Sequence, residues 1–337
     1  MKTSMRQVRR ALRPVSLLAA LLLVVAAPSR AVAWHDTGHM LVAQIAYLNL
    51  SPAAKARVDK LLTAPEGRRP LIHLCATYYT PACEKIYDPV TIAVWMDDFK
   101  GDSLNDEYEN WHYINYRPLF DGVPTRTEVG PEPTNVLDRI NWCINTLRRG
   151  TGRDKTDAET LGFLYHLVGD VHQPLHTTTR YTVKNPDGDA GGNGFAIQMP
   201  PEARIRNLHA FWDAAGGRFG FESPRRPLDT ASRARLLALA EEIMKANPVD
   251  KSTAARELEP LRWIEESNTI AREFVYPKTR EGETPSAAYT AEAQRISGER
   301  IALAGYRLAH VLNTLFVEKP KPAAAATTPA PSPSPKN

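Results

Sequence analysis

The stretch that decides the fold is FLYHLVGDVHQPLH, residues 163–176. Its apolar residues follow a helical pattern, and His166 and Asp170 stand four residues apart, which places them on one helical face. An imidazole and a carboxylate at this spacing can bind the same cation. Pro174 ends the pattern, so the imidazole of His176 can serve a neighbouring ion. A buried hydrogen bond between histidine and aspartate in a core helix is the alternative interpretation.

Helical patterns continue on both sides of this stretch. Thr156 and Glu159 form a capping box, which predicts that the central helix begins there. Residues 111–115 alternate like a short extended segment, and no longer strand is indicated. The fold class is therefore mainly α. The remaining helical patterns cover residues 39–48, a helix from Ser51, and residues 88–100, 132–149, 207–215, 228–246, 261–275 and 288–316.

Both ends of the chain differ from its centre. Residues 1–33 have the pattern of a secretory signal, with basic residues, an apolar run over 17–27 and small residues at a cleavage site. The apolar run is short for a membrane span, so we expect a secreted or periplasmic protein without stable membrane association. Residues 319–337 are rich in Lys, Pro, Ala, Thr and Ser, which predicts a disordered tail. One domain, residues 34–318, is expected between the two.

The charge of the chain excludes one class of function. The leader holds six basic and no acidic residues, so 36 basic and 38 acidic side chains remain without it, a formal charge near −2. A basic surface that binds duplex DNA is therefore not expected, and a protein acting on nucleic acid would need metal ions for most of its positive field.

Export permits a disulfide between Cys75 and Cys83, which would leave Cys143 unpaired.

Cleavage after Ala33 would make Trp34 the first residue of the exported chain. A terminal amine titrates at about pH 8, so a metal can displace its proton, and the amine and its own carbonyl oxygen can close a chelate ring. His39 adds an imidazole five residues later. Packing of the tryptophan in the core, without any metal, is the alternative interpretation.

Further candidate ligands follow along the chain. Asp97 lies on a helical pattern, where a surface salt bridge with Lys100 is the alternative. His209 and Asp213 repeat the four-residue spacing of the central helix. Five of the nine histidines are candidates, and nitrogen and oxygen donors without thiolates favour zinc, with manganese or iron as alternatives. The candidate donors, enough for three ions that share a carboxylate, are the Trp34 amine, His39, Asp97, His112, His166, Asp170, His176, His209 and Asp213.

These residues lie in motifs whose order resembles that of the S1/P1 family of zinc-dependent nucleases. The resemblance extends from Trp34 to about Phe316. The motifs are Trp34…His39, Trp95-Met96-Asp97, Trp111-His112-Tyr113, His166-Leu167-Val168-Gly169-Asp170, His172-Gln173-Pro174-Leu175-His176, Gly188-Asp189-Ala190-Gly191-Gly192-Asn193 and Asn207-Leu208-His209-Ala210-Phe211-Trp212-Asp213.

The resemblance implies a single-domain fold like that of phospholipase C and P1 nuclease, mainly α, with a trinuclear zinc cleft. It implies a monomeric endonuclease that hydrolyses single-stranded DNA and RNA to 5′-phosphorylated products through a zinc-activated hydroxide, with 3′-nucleotidase activity as an open addition. One zinc is then held by Asp97, His112, His166 and Asp170; a second by His176, His209 and Asp213; a third by Trp34, His39 and the bridging Asp170.

The resemblance also implies roles around the metals. Asp97, Asp170 and Lys100 are the expected catalytic residues, and Lys100 would stabilise the pentavalent phosphorus. Tyr113 would stack on a substrate base, which favours single strands. Many relatives have aspartate at position 115, and the asparagine here donates as well as accepts, so base preference is open. The expected substrate-binding residues are Lys100, Tyr113, Asn115, Ala190, Gly191 and Asn193.

Two other functions are compatible with the same residues. A zinc-dependent phospholipase C shares this fold and metal arrangement, although the short gap from Trp34 to His39 and the aspartate at 213 favour a nuclease. A secreted helical protein that binds metal without turnover is the second. Hydrolysis of single-stranded DNA, RNA and phosphatidylcholine, compared side by side, separates the two enzymes. Chelator-sensitive folding without phosphodiesterase activity would indicate the metal-binding protein.

Overall fold

The computed structural model describes residues 34–63, 88–99, 108–219, 224, 226–249 and 253–317. All of them lie within one unit, Ala31–Asn337. The fold in the described ranges is mainly α, as the sequence predicts. Its α-helices are α1 (Asp36–Leu48), α2 (Pro52–Thr63), α3 (Val136–Arg149), α4 (Asp154–Asp170), α5 (Leu208–Asp213), α6 (Thr230–Ala246), α7 (Pro260–Ile270) and α8 (Ala287–Leu315).

Short 3-10 helices connect many of these elements. Two strands, β1 (Leu119–Phe120) and β2 (Arg180–Tyr181), pair in parallel, with Leu119 opposite Arg180. A π-helical turn, Ala271–Val275, continues α7. The 3-10 helices are Thr91–Phe99, Glu109–His112, Pro174–Thr177, Pro201–Ala203, Ala215–Gly217 and Thr253–Arg256.

The central helix α4 begins earlier than the capping box predicts. It starts at Asp154, so the prediction that Thr156 and Glu159 begin the helix was wrong. The carboxylate of Asp157, in the first turn, accepts hydrogen bonds from the backbone N–H and the hydroxyl of Thr151. This contact ties the preceding turn to the helix, and two acidic residues in the first turn suit the positive end of the helix dipole.

Two other local predictions were correct only in part. The helix over residues 88–100 is a 3-10 helix from Thr91 to Phe99, although Asp88 does cap it by accepting from the N–H groups of Val90 and Thr91. Residues 111–115 are not extended throughout, because residues 109–112 form a 3-10 turn and extended backbone begins at Tyr113. Both cases show tertiary packing that overrides a weak local preference.

Helices α1, α4 and α8 form the centre of the larger core. Helix α1 packs on α8, α6 and α4, and α4 also packs on α3 and on the 3-10 helix Thr91–Phe99. A smaller apolar cluster surrounds α5, the π-helical turn and the start of α8. The polar ends of α4 and α5 lie next to these clusters, which holds their side chains rigidly. No helix in the described part of the chain has the length and apolar content to cross a bilayer.

The cysteines are only partly described. Cys143 lies on α3 as a buried free thiol, and burial raises its pKa, which keeps it protonated. Cys75 and Cys83 lie outside the described residues, and the disulfide between them stays a prediction. The leader, residues 1–33, and the tail, residues 319–337, also lie outside the described residues.

Candidate metal centre

The C-terminal half of α4 carries the first group of possible metal ligands. His166 Nε2 lies 3.4 Å from Asp170 Oδ2, one helical turn away. His112 reaches the same carboxylate from the turn over residues 109–112, with 3.1 Å between its Nδ1 and Asp170 Oδ2. Asp97 approaches from the 3-10 helix Thr91–Phe99, and its Oδ1 is 3.4 Å from His166 Nε2. Four side chains from three elements therefore meet, and none is more than 10% exposed.

His39 joins this group from α1. Its ring stacks on that of His166, with 4.0 Å between centroids, and its Nε2 lies 3.4 Å from Asp170 Oδ1. Asp170 therefore faces His39 with one oxygen and His112 and His166 with the other. Gly169 makes this approach possible, because a Cβ there would lie 2.7 Å from His39 Nδ1. A larger residue at 169 would push α1 and α4 apart at the centre.

The second group lies on the Pro174–Thr177 turn and on α5. His209 Nε2 is 3.5 Å from Asp213 Oδ2, and the rings of His176 and His209 are 4.9 Å apart. The other oxygen of Asp213 accepts a hydrogen bond of 2.7 Å from the amide of Gln173. The repeated four-residue spacing therefore produces the same contact on α5 as on α4.

Backbone carbonyls orient three of the imidazoles. His166 Nδ1 is 2.7 Å from Ala93 O, His176 Nδ1 is 2.8 Å from His112 O, and His209 Nδ1 is 2.8 Å from Gly191 O. A carbonyl accepts only, so each Nδ1 carries the proton, and in the neutral ring Nε2 is then the acceptor. Metal-binding histidines in proteins are oriented in this way.

Trp34 begins the described chain beside both groups. Its indole is buried and donates to Gly169 O at 3.0 Å, next to Asp170. The N–H of the following residue, His35, donates to Asp213 O at 3.0 Å. Packing of the tryptophan in the core and a position of its backbone near the two groups are therefore compatible.

The donor atoms fit divalent cations of the zinc type. There are three triplets of nitrogen and oxygen donors in the described residues; within each triplet the donor atoms lie within 4.8 Å of one another, and no sulfur takes part. Carboxylates that are buried among imidazoles carry negative charge that a low-dielectric interior tolerates only with compensation. The triplets are His39, Asp97 and His166; His112, His166 and Asp170; and His176, His209 and Asp213.

The pKa of a neighbouring carboxyl group, that of Asp36, is shifted mainly by burial. Burial raises the pKa of Asp36 to about 6; Arg226 opposes the rise, and the carboxylates of Asp97 and Asp98 add to it. Arg226 binds both oxygens of Asp98, at 2.7 and 2.6 Å. The pairing holds the segment next to Asp97 in place.

Comparison with known proteins identifies the family. A model of the S1/P1 nuclease family matches residues 34–317. The chain belongs to the S1/P1 nuclease family. Endonuclease 4 of Arabidopsis thaliana is 26% identical over 313 residues, which cover 86% of this chain and 92% of that protein.

Two fungal S1/P1 nucleases match shorter segments. Nuclease P1 of Penicillium citrinum is 26% identical over 187 residues, 53% of this chain and 57% of that protein. Nuclease S1 of Aspergillus oryzae is 29% identical over 135 residues, 37% and 43% of the two chains. The family is zinc-dependent and cleaves nucleic acid, so this S1/P1 chain is a nuclease, a hydrolase of phosphodiester bonds.

The predicted base-binding residues lie next to the first group. Tyr113 follows His112 and is half-buried, and its hydroxyl donates to Asn110 Oδ1 at 2.7 Å. Burial and the carboxylates of Glu132 and Glu109 raise the pKa of Tyr113 to about 12, so the phenol stays neutral. The side chain and the backbone N–H of Asn115 both donate to the carboxylate of Glu132.

The glycine-rich loop contributes backbone rather than side chains. Gly191 O accepts from His209, and Asn193 Nδ2 donates to Ala190 O at 2.8 Å. Gly191 has φ of 63°, and a Cβ there would lie 2.4 Å from Leu175 O, so no other residue fits. Asp189 fixes the loop by accepting from Arg180 N and from the Tyr276 hydroxyl.

Some site residues were missed by the sequence analysis, and one lies outside the described residues. Lys100 is in the latter position, so its role stays a prediction. Gln173, Glu132 and Asp189 were not identified as site residues. Gln173 had a signal, since it stands between two candidate histidines in the 163–176 stretch. Glu132 had none, because its contact with Asn115 joins residues 17 positions apart.

Proposed function

We propose that this S1/P1 nuclease binds three zinc ions and hydrolyses phosphodiester bonds of single-stranded DNA and RNA to 5′-phosphorylated products. The two buried groups of nitrogen and oxygen donors, joined by the chain at Trp34 and His35, carry the proposal. Bound zinc supplies Lewis-acid charge and lowers the pKa of water to near neutrality. The same centre would release phosphate from 3′-nucleotides.

The ion sites follow the groups in the structure. Asp170 is the residue suited to two ions, because its oxygens face different histidines. Its position at the end of α4, in contact with His39, His112 and His166, would let it hold both ions. One ion would use Asp97, His112, His166 and Asp170; another the Trp34 amine and carbonyl, His39 and Asp170; the third His176, His209 and Asp213.

Single-strand preference is supported by the burial of the centre. The side chains of the histidines and aspartates in both groups are at most 10% exposed, so a phosphate must enter a recess to reach them. A single strand can place a phosphate there while a base turns outward onto the half-buried ring of Tyr113. Stacked bases in a duplex resist this movement.

Export completes the proposal. We propose that cleavage after Ala33 releases a secreted or periplasmic enzyme, monomeric, whose terminal amine at Trp34 is a metal ligand. Intact-mass measurement of the exported protein should give a chain that begins at Trp34. A chain beginning elsewhere would leave the third ion without its amine ligand.

The test combines metal content with substrate choice. Elemental analysis of the exported protein should give three zinc ions per chain, and fewer than two would contradict the proposal. The same preparation should hydrolyse single-stranded DNA and RNA faster than duplex DNA, and should leave phosphatidylcholine intact. Hydrolysis of the lipid alone would indicate a phospholipase C, and zinc without hydrolysis of any substrate would indicate a metal-binding protein.

A further inference from the structure

An exposed aromatic surface lies beside the metal centre. It consists of Trp111, Arg139 and Trp142, named here the Trp142 platform. Trp142 is 36% exposed, and its indole adds apolar surface next to the half-buried Trp111. Its ring centroid is 6.1 Å from that of Trp111, and the guanidinium of Arg139 lies over both rings, 5.0 Å from Trp111 and 5.7 Å from Trp142.

The platform is connected to the centre through two short paths. Trp111 directly precedes His112, whose ring contacts Asp170. Helix α3, which carries Arg139 and Trp142, is held at its start by a hydrogen bond of 3.1 Å from Val136 N to Tyr113 O. Trp142 follows Val136 by six positions on the helix, about 9 Å along the axis. The platform therefore lies one to a few nucleotides from Tyr113.

Contacts behind the platform make it rigid. Trp111 packs on Phe163 and Tyr108, with ring centroids 5.1 and 4.7 Å away. Arg139 is fixed from the other side by the carboxylate of Asp138. A preordered aromatic surface loses little side-chain entropy when a ligand stacks on it.

The charge of the platform selects the kind of contact. Asp138 pairs with Arg139, so the guanidinium offers little net charge to a phosphate. The exposed indole offers an apolar face, on which any base can stack regardless of sequence. The ligand part that fits is therefore a base of a single strand rather than its backbone.

We propose that the Trp142 platform stacks a base of the single-stranded substrate that flanks the nucleotide at Tyr113. The proposal rests on the proposed nuclease function and extends it to a substrate site outside the metal centre. Substrates gain affinity from the platform only if they have a nucleotide beyond the one at Tyr113, on the side away from the scissile phosphate. A dinucleotide has no such nucleotide, because its single phosphate is the one that is cleaved.

The experiment measures kcat/KM of the zinc-loaded enzyme for a single-stranded octanucleotide and for a dinucleotide. In Trp142→Ala, the ratio of the two values should fall about tenfold, which is modest for one stacked base. Trp142→Phe, which keeps an aromatic face, should recover most of the ratio. Leu237→Ala on α6, where the wild-type side chain is 37% exposed, is the matched control and should leave the ratio unchanged.

Several results would contradict base stacking at the Trp142 platform. A ratio in Trp142→Ala equal to that of the wild type would overturn the platform, and so would an equal loss in Leu237→Ala. A fall in the melting temperature with an unchanged ratio would show that Trp142 only packs. If the platform instead bound a phosphate, Trp142→Ala would reduce the slope of octanucleotide cleavage against salt concentration. The proposal expects this slope to stay at the wild-type value. Wild-type enzyme inactive on both substrates would contradict the proposed function itself.

Discussion

Two buried polar clusters lie near the C-terminal end of α4, and they balance their charge differently. The metal centre on one side combines carboxylates with imidazoles. On the other side, Arg300 and Arg307 both pair with Glu266, each at 2.7 Å. Arg307 also donates to His172 Nε2 at 2.9 Å. These four residues and Ser267 are named here the arginine network.

The arginine network has its cations built into the chain. Burial lowers the pKa of His172 well below its ordinary value, and Arg300 and Arg307 add to the effect, so this histidine is neutral. Its Nδ1 donates to Val168 O, and Ser267 donates to Val171 O. The network therefore caps the end of α4 with hydrogen bonds and positive charge, which suits the helix dipole.

The difference shows what each cluster requires. In the arginine network, covalently attached guanidinium groups compensate Glu266, so the network is complete once the chain folds. In the metal centre, the charge of Asp97, Asp170 and Asp213 calls for compensation by ions from outside. We therefore expect metal removal to affect one cluster, and mutation of Glu266 to affect the other.

The largest expected effect comes from metal removal. A strong chelator should abolish nuclease activity and lower the melting temperature by about 5–10 °C, because bound ions stabilise only the folded state. Added zinc should restore both values. Activity assays and calorimetry before and after dialysis provide the measurement. A melting temperature that does not respond to the chelator would show that the metal centre, like the arginine network, is stable without added ions.

The second-largest effect is expected for the Asp170→Asn substitution. The amide loses the charge shared by the two sides of the first group, so we expect about a thousandfold loss of activity and fewer ions per chain. Activity and elemental analysis measure these. Glu241→Gln, at an exposed carboxylate of α6, is the control for loss of a charge. Near-normal turnover in Asp170→Asn would contradict a bridging role.

The Glu266→Gln substitution should destabilise the arginine network. It leaves two buried guanidinium groups without a carboxylate, and we expect a loss of about 3 kcal/mol in the free energy of unfolding. The number of bound ions should stay at the wild-type value. Chemical denaturation measures the loss of stability, and elemental analysis measures the number of bound ions. Loss of zinc together with stability would show that the arginine network and the metal centre are not independent.

The same variant carries a pH prediction. Burial raises the pKa of Glu266, but the hydrogen bonds and charges of Arg307 and Arg300 outweigh burial and hold it below its ordinary value. A lowered carboxyl pKa gives stability above the unfolded value of about 4.3, and that stability is lost as the pH falls through the folded value. Glu266→Gln should therefore flatten the decline of stability below about pH 4.3.

Gln173→Ala should have the smallest effect. It removes the hydrogen bond to Asp213 without removing a donor atom to the metal, so we expect about a tenfold loss of zinc affinity in the second group. Competition with a chelator of known affinity measures the change. An unchanged affinity would mean that α5 alone orients Asp213.

The sequence predicted much of this arrangement, but not all of it. The spacing of His166 and Asp170, and of His209 and Asp213, follows from helical periodicity, so their contacts could be expected from the residues alone. The start of α4 could not, because it depends on the contact of Asp157 with Thr151. Glu132 at Asn115 and Glu266 at Arg307 join residues distant in the chain, and no local pattern indicates such pairs.

The sequence by itself determined the mainly α class, the order of the motifs and the residue types that can bind zinc, because these depend on composition and periodicity. Only the tertiary structure decided that α1 brings His39 against Asp170, that Gly191 orients His209, and that Trp142 stays exposed beside Trp111. The physical reason is that packing joins elements far apart in the chain, and the contacts depend on distances that local preferences do not contain.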